Sequence, residues 1–237
     1  MAAQGVEAAA PVVRNAVERA FKGGARRVEA QLEPDDPRAH RIATVSGLMR
    51  EGVARGVAEG GDRVVYARLA HDTPLDDPRG FRQLLNSFLP RKRAISQLLV
   101  RDGRGRVLLC QLTYKRDWDL PGGVVEVGES PHLAVAREIE EELALTLAVG
   151  PLVLTDWLPP WSGWDDAVCL VFDGGAIQPD VLEQMVYDRR EIRSARFCDL
   201  DEVQELCADF TARRVVSALA ALEAAGPSYT ESGRPLG

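Results

Sequence analysis

The chain has 237 residues, 46% of them hydrophobic, with 29 basic and 36 acidic side chains and a formal net charge of −7. That length suits one domain of ordinary size with an extension, or two small domains. The negative balance excludes a field that gathers nucleic acid, while a small anionic substrate stays open where cations stand between the partners.

No run approaches the roughly 20 apolar residues that span a bilayer, so no membrane partner is expected. Met1 to Ala10 carries Glu7 and lacks a basic stretch leading into an apolar run, so no secretory signal is expected and the chain reads as cytoplasmic. Cys110 and Cys169 lie inside apolar runs, as buried thiols of strands do. The four cysteines and the histidines His40, His71 and His132 show no metal-ligand spacing, so no zinc site is expected.

Taken in chain order, Val12, Val13, Ala16, Val17, Ala20 and Phe21 recur at helical spacing. Glu33-Pro-Asp-Asp-Pro37 breaks the chain, and Ile42, Val45, Leu48, Met49, Val53 and Val57 then predict a second helix. Arg63 to Leu69 fits a strand or a helix, and Phe81, Leu84, Leu85, Phe88 and Leu89 predict a third helix. Residues 1–89 thus read as a mainly helical extension without chemistry of its own. Its apolar stripes need a cover, and symmetric pairing is the common way to provide one. A homodimer with residues 12–57 in the interface is expected.

From Ala94 the pattern changes. Ala94–Val100 and Arg106–Leu112 are β-compatible runs joined by Asp102-Gly-Arg-Gly105, a hairpin signal. A helix fits Pro131 to Leu143, strands fit Leu147–Leu158, Ala167–Phe172 and Ala195–Cys198, and a last helix fits Asp209–Ala225. Strands mixed with helices indicate an α/β or α+β domain over residues 90–226, followed by a tail, 227–237.

One segment carries chemistry. Ser130 and Pro131 open the helix from Pro131 to Leu143, on which Glu138, Glu141 and Glu142 stand at i, i+3 and i+4 and share a face. Three glutamates alone read first as a solvated acidic face. Their like charges destabilise a helix by a few tenths of a kcal/mol per pair, and hard cations such as Mg²⁺ want oxygen-rich clusters of this kind. The context favours the cation. Gly122, Gly123 and Gly128 allow the preceding loop positive φ and a close approach to a phosphate. Arg137 can pair with Glu129 and lock that loop against the helix.

The run Gly123, five residues, Glu129, seven residues, Arg137-Glu138-Ile139-Glu140-Glu141-Glu142 resembles the Nudix box of the Nudix hydrolases, and Trp118-Asp-Leu-Pro-Gly-Gly123 resembles its usual approach. One position departs: the family pattern ends in glycine and an aliphatic residue, and this chain has Ala144-Leu145. Alanine in a left-handed helix end costs about 1 kcal/mol. The likeness runs from about Pro90 to about Ala225.

The resemblance implies a Nudix-like α/β/α sandwich with a mixed β-sheet. It also implies Mg²⁺-dependent hydrolysis of the diphosphate linkage in a nucleoside diphosphate derivative, nucleotide sugar or ADP-ribose-like, with Mn²⁺ as a substitute metal. Glu138, Glu141 and Glu142 would hold the metal, Arg137 and Glu129 would hold the box together, and Gly122 and Gly123 would offer backbone contacts. The general base would come from the box or from a glutamate on a later loop, where Glu191 reads either as that base or as an ordinary surface glutamate. Trp161 and Trp164, beside Pro159-Pro160, read either as stacking platforms for a base or as packing residues. Lys115 and Arg116 could contact a second phosphate. Two other readings share the box: a pyrophosphohydrolase that destroys damaged nucleoside triphosphates, and a non-catalytic module that senses a nucleotide.

Overall fold

Asp36-Pro37 and Asp77-Pro78 each open a helix. The aspartate side chain caps a free backbone N–H, and the proline fills a first-turn position that has no bond to lose. In the computed structural model, which describes residues 2–58, 61–224 and 226–236, these helices belong to the first of two units, Met1–Arg91 and Lys92–Gly237.

The first unit runs α1 (Ala2–Lys22), β1 (Arg27–Leu32), α2 (Pro37–Val45), β2 (Met49–Ala58), β3 (Gly61–Leu69) and α3 (Pro78–Phe88). Its strands pair antiparallel in the order β1-β3-β2, over a core of Val17, Ala43, Leu48, Val64 and Tyr66. Arg63–Leu69 is therefore a strand. The helix expected to continue through Met49, Val53 and Val57 does not form; those residues are β2. Gly47 ends α2 with φ +89, and the amide of Leu48 donates to the carbonyl of Ala43, a closing bond that turns the chain out of the helix. Gly52 and Gly56 would then cost about 1 kcal/mol each inside a helix, whereas a bulge after Arg50 accommodates Gly52 in the strand.

The second unit contains β4 (Arg93–Asp102), β5 (Val107–Leu112), β6 (Trp118–Asp119), β7 (Gly122–Val124), α4 (Pro131–Leu143), β8 (Leu152–Leu158) and β9 (Ala167–Ile177). It continues with α5 (Val181–Gln184), β10 (Ile192–Cys198), α6 (Leu200–Leu206), α7 (Asp209–Glu223), β11 (Ser228–Glu231) and β12 (Arg234–Pro235). The sheet order among the described residues is β10-β5-β4-β9-β8-β11-β12, with β6 on β5 and β7 on β4. The β4–β9 and β8–β11 pairs are parallel and the rest antiparallel, so the sheet is mixed.

Strand alternation explains the layers. Leu98, Val100, Leu108 and Cys110 face one side and pack with Val135, Ile139 and Leu143 of α4. Leu99, Val107 and Leu109 face the other side and pack with Val203 of α6 and with Val215 and Ala218 of α7. A sheet covered on both faces needs near-continuous apolar strands, which β4 and β5 supply. The result is an α/β/α sandwich. Residues 227–237, expected as a tail, instead carry β11 and β12 and extend the sheet beyond β8.

Candidate active site

α4 begins where the Ser130 hydroxyl accepts from the Leu133 amide at 3.3 Å, and it ends at Ala144, whose φ of +54 is left-handed. The following loop closes that end: the amides of Val186 and Asp188 donate to the carbonyls of Leu143 and Glu142 at 3.1 and 3.0 Å. These two bonds bring residues 188–191 beside the helix. Glu138, Glu141 and Glu142 consequently share a cavity of about 390 Å³ with Asp188, Arg190 and Glu191.

The three helix glutamates are not alike. Glu142 is 4% exposed and its Oε2 has no hydrogen-bond partner. Burial, and then the charge of Glu138, push its carboxyl up to about 8, against a hydrogen bond from the Gly122 backbone. Burial also raises Glu138, although Arg137 opposes the shift. The Glu141 side chain is 61% exposed.

Arg137 organises this end of the site. Its Nε and Nη2 donate to the two carboxylate oxygens of Glu129 at 3.0 and 3.1 Å, a bidentate pair between helix and loop. It also reaches Glu138 at 3.0 Å and Glu141 at 2.9 Å. Hydrogen bonding to Arg137 holds the Glu129 carboxyl below its ordinary range. Among the described residues no three carboxylate, thiol or imidazole groups already converge as metal ligands, because Arg137 draws Glu138 and Glu141 towards itself. A divalent cation nevertheless fits the chemistry of the donor set: a buried carboxylate oxygen without a partner, beside other carboxylates, is what such a cation compensates.

The glycines serve close packing. A Cβ on Gly122, at φ +131, would lie 2.2 Å from the Ser96 carbonyl oxygen, and one on Gly123 would lie 2.5 Å from the Glu138 carboxyl carbon. These contacts allow β7 to run between β4 and α4. A Cβ on Gly128, at φ +88, would meet nothing within 4 Å.

Gly122 and Gly123 also border a second cavity, of about 240 Å³, lined by Lys115, Asp119, Trp161, Trp164, Phe210 and Arg214 among others. Trp161 and Trp164 flank a two-residue turn in which Ser162 and Gly163 both have positive φ, and their backbones bond in both directions at 3.0 and 2.8 Å. The indoles are 54% and 57% exposed; Trp161 meets the Phe210 ring edge-on at 5.5 Å, and the Arg93 guanidinium lies 4.6 Å over Trp164. Lys115 pairs with Asp119 at 2.7 Å within this cavity. Arg116 lines neither cavity and sits in a neighbouring hollow that shares Tyr114 and Lys115 with the aromatic one.

The profile of the NUDIX domain matches residues 90–219, more than half of the chain. The chain belongs to the NUDIX family. A MutT-like protein of Streptomyces ambofaciens is 37% identical over 59 residues, which are 25% of this chain and 38% of that protein; the chain thus spans well under half the length of this curated relative. Among solved structures it is similar to a MutT protein from Methanosarcina mazei Go1, with 23% identity and a TM-score of 0.47, covering 59% of this chain and 99% of that one. It is also similar to a UDP-X diphosphatase, with 18% identity and a TM-score of 0.49, covering 65% of this chain and 75% of that one.

Several residues of this NUDIX domain escape sequence reasoning. Asp188 and Arg190 join the acidic cavity, and Gln97, Asp119, Phe210 and Arg214 join the aromatic one. An acidic-basic turn, Asp188-Arg-Arg-Glu191, hints at the first pair. Arg214 lies on the predicted apolar stripe of α7 beside Val215, where a cation is out of pattern; that irregularity was its only signal.

Proposed function

We propose that this chain is a divalent-cation-dependent pyrophosphohydrolase that cleaves the diphosphate linkage of a nucleoside diphosphate derivative, nucleotide sugar or ADP-ribose-like. The observation that carries the reading is the unpartnered, buried Oε2 of Glu142 in a cavity shared with Glu138, Glu141 and Glu191. Water adds to one phosphorus, the bond from that phosphorus to the bridging oxygen breaks, and the second phosphate departs. Mg²⁺, or Mn²⁺ in its place, would be held by Glu138, Glu141 and Glu142 and would supply charge neutralisation and acidify a bound water. Glu191, in the same cavity, is placed to take the proton that water loses. Arg137 and Glu129 hold the loop against α4, which keeps the glutamate-bearing face of the helix beside Gly122 and Gly123. Trp161 and Trp164 offer ring faces for a base, and Lys115 a cation in the same cavity.

The decisive test is phosphatase-coupled phosphate release from a panel of nucleotide sugars, dinucleoside polyphosphates and nucleoside triphosphates with Mg²⁺. Turnover of the diphosphate derivatives that disappears with a chelator supports the reading, and no turnover of any member sinks it. No helix among the described residues is long and apolar enough to cross a membrane. The homodimer reading rests on Val12, Val45, Val53 and Val57, which stay exposed although the first unit closes its own core. Sedimentation of the full chain at tens of micromolar tests it: a monomer there refutes pairing.

A further inference from the structure

The aromatic cavity contains a charged residue, Arg214, that the proposed diphosphate chemistry leaves without a task. Arg214, on α7, is 2% exposed. Its Nε donates to Asp156 at 2.9 Å and its Nη1 to the Gln97 amide oxygen at 3.1 Å, so the guanidinium is pinned. Its Nη2 is buried and has no partner. Gln97 cannot turn to meet it. Its amide nitrogen is committed to Asp119 at 2.8 Å, and its oxygen also accepts from the Cys169 thiol at 3.2 Å. Leaving a donor of a charged group unmet inside a protein is costly, and Arg214 is among the residues that line the aromatic cavity.

Charge and shape narrow the ligand. The cavity is lined by Arg93, Lys115 and Arg214 against Asp119, but each cation is already engaged: Arg93 with the Asp165 carbonyl and the Trp164 ring, Lys115 with Asp119, and Arg214 with Asp156. The Arg214 guanidinium stands 5.6 Å over the Phe210 ring, which in turn meets Trp161. A flat ring suits those walls. A cavity of about 240 Å³ has room for one base. Arginine donates and never accepts; it pairs with the carbonyl oxygen of an oxo-bearing base, whereas the amino group of adenine presents a competing donor.

We propose that Arg214 is a specificity-determining residue whose Nη2 donates to an oxo group of the substrate's base, so that uracil or guanine derivatives are taken in preference to adenine ones. The inference rests on the hydrolase reading above and narrows its substrate class.

Calorimetric titration of the full chain with UMP, GMP and AMP tests it without hydrolysis. The tighter of UMP and GMP should bind at least about tenfold more strongly than AMP, the discrimination expected of one good arginine–base pair. In Arg214→Lys, which keeps the charge and loses the planar fork, that ratio should fall towards one. AMP binding as tightly as both others, or no binding of any nucleotide below millimolar, overturns the proposal. So does a folded Arg214→Lys protein that retains the full ratio. Should that variant fail to fold, the wild-type ratio still decides. Hydrolysis without base preference would sink this inference alone, whereas base-selective binding without Mg²⁺-dependent turnover would sink the hydrolase reading alone.

Discussion

Under the proposed function, Glu142 couples stability to chemistry through one carboxyl group. In the folded, metal-free protein burial raises its pKa from 4.5 to about 8, so the folded chain keeps a proton that the unfolded chain releases. A group raised in this way contributes stability that is fully present below its unfolded pKa and is lost as pH rises through the folded one. Between about pH 4.5 and 8 the metal-free protein should therefore lose stability from this site. Glu142→Gln is neutral throughout and should flatten that slope. It should raise the metal-free melting temperature at pH 8, on the scale of the roughly 1–3 kcal/mol that an unsatisfied buried polar group costs. The same variant should lower turnover by about a hundredfold or more, as expected for removing a charge from the set of carboxylates proposed to hold the metal. Thermal melts across pH, run beside a phosphate-release assay, measure both. A Gln variant of unchanged stability slope and near-wild-type rate would contradict the assignment. Ala144 is a second, independent case. It is exposed and left-handed at φ +54, so Ala144→Gly relieves backbone strain without removing packing. Denaturant unfolding should show a gain of about 0.5–1 kcal/mol.

At the scale of elements, the tight turn between Trp161 and Trp164 is built by local backbone bonds, and one of its indoles leans on Phe210 of α7. Both rings remain more than half exposed, so little core packing is at stake. Trp164→Ala should raise KM several-fold and leave the melting temperature within about 2 °C, as surface truncations do. A large loss of stability with unaltered KM would mark the indole as a packing group. Elsewhere the element boundaries follow local signals. The capping box of Asp199 and Glu202 starts α6, and Asp102 accepts from the amides of Arg104 and Arg106 to close the β4–β5 hairpin. The failed helix through Met49 to Val57 shows the opposite case. Its apolar spacing matches a helix, but Gly47, Gly52 and Gly56 favour a turn and a strand, and β3 supplies a partner.

Across the second unit, one buried carboxylate ties distant parts of the chain together. Asp156 on β8 accepts from Arg214 of α7 at 2.9 Å, from the Thr230 hydroxyl of β11 at 2.8 Å and from the Gly233 amide at 2.8 Å. Removing one donor leaves part of a buried charge unmet. Thr230→Val, which preserves shape, should cost about 1.5–3 kcal/mol in denaturant unfolding, the range for hydrogen bonds to charged groups. A loss below about 0.5 kcal/mol would show that β11 hangs on the sheet edge without holding Asp156. The same network fixes Arg214, so the sheet edge and the floor of the aromatic cavity stand or fall together.

The acidic face of α4, the bidentate reach of Arg137 to Glu129 and the two-sided burial of β4 and β5 all follow from the chain's own order. Residues three or four apart on a helix, or two apart on a strand, have their relative directions set by backbone geometry, and a loop of a few residues leaves a long side chain little choice of partner. The arrival of Glu191, Asp188 and Arg190 at the end of α4, the pairing of β11 with β8, and the enclosure of Arg214 by Asp156 and Gln97 have no such local cause. Gln97 and Arg214 stand 117 positions apart. Only the stacking of α7 on the sheet makes them neighbours, because contacts at that separation depend on which faces the whole fold buries rather than on any spacing along the chain.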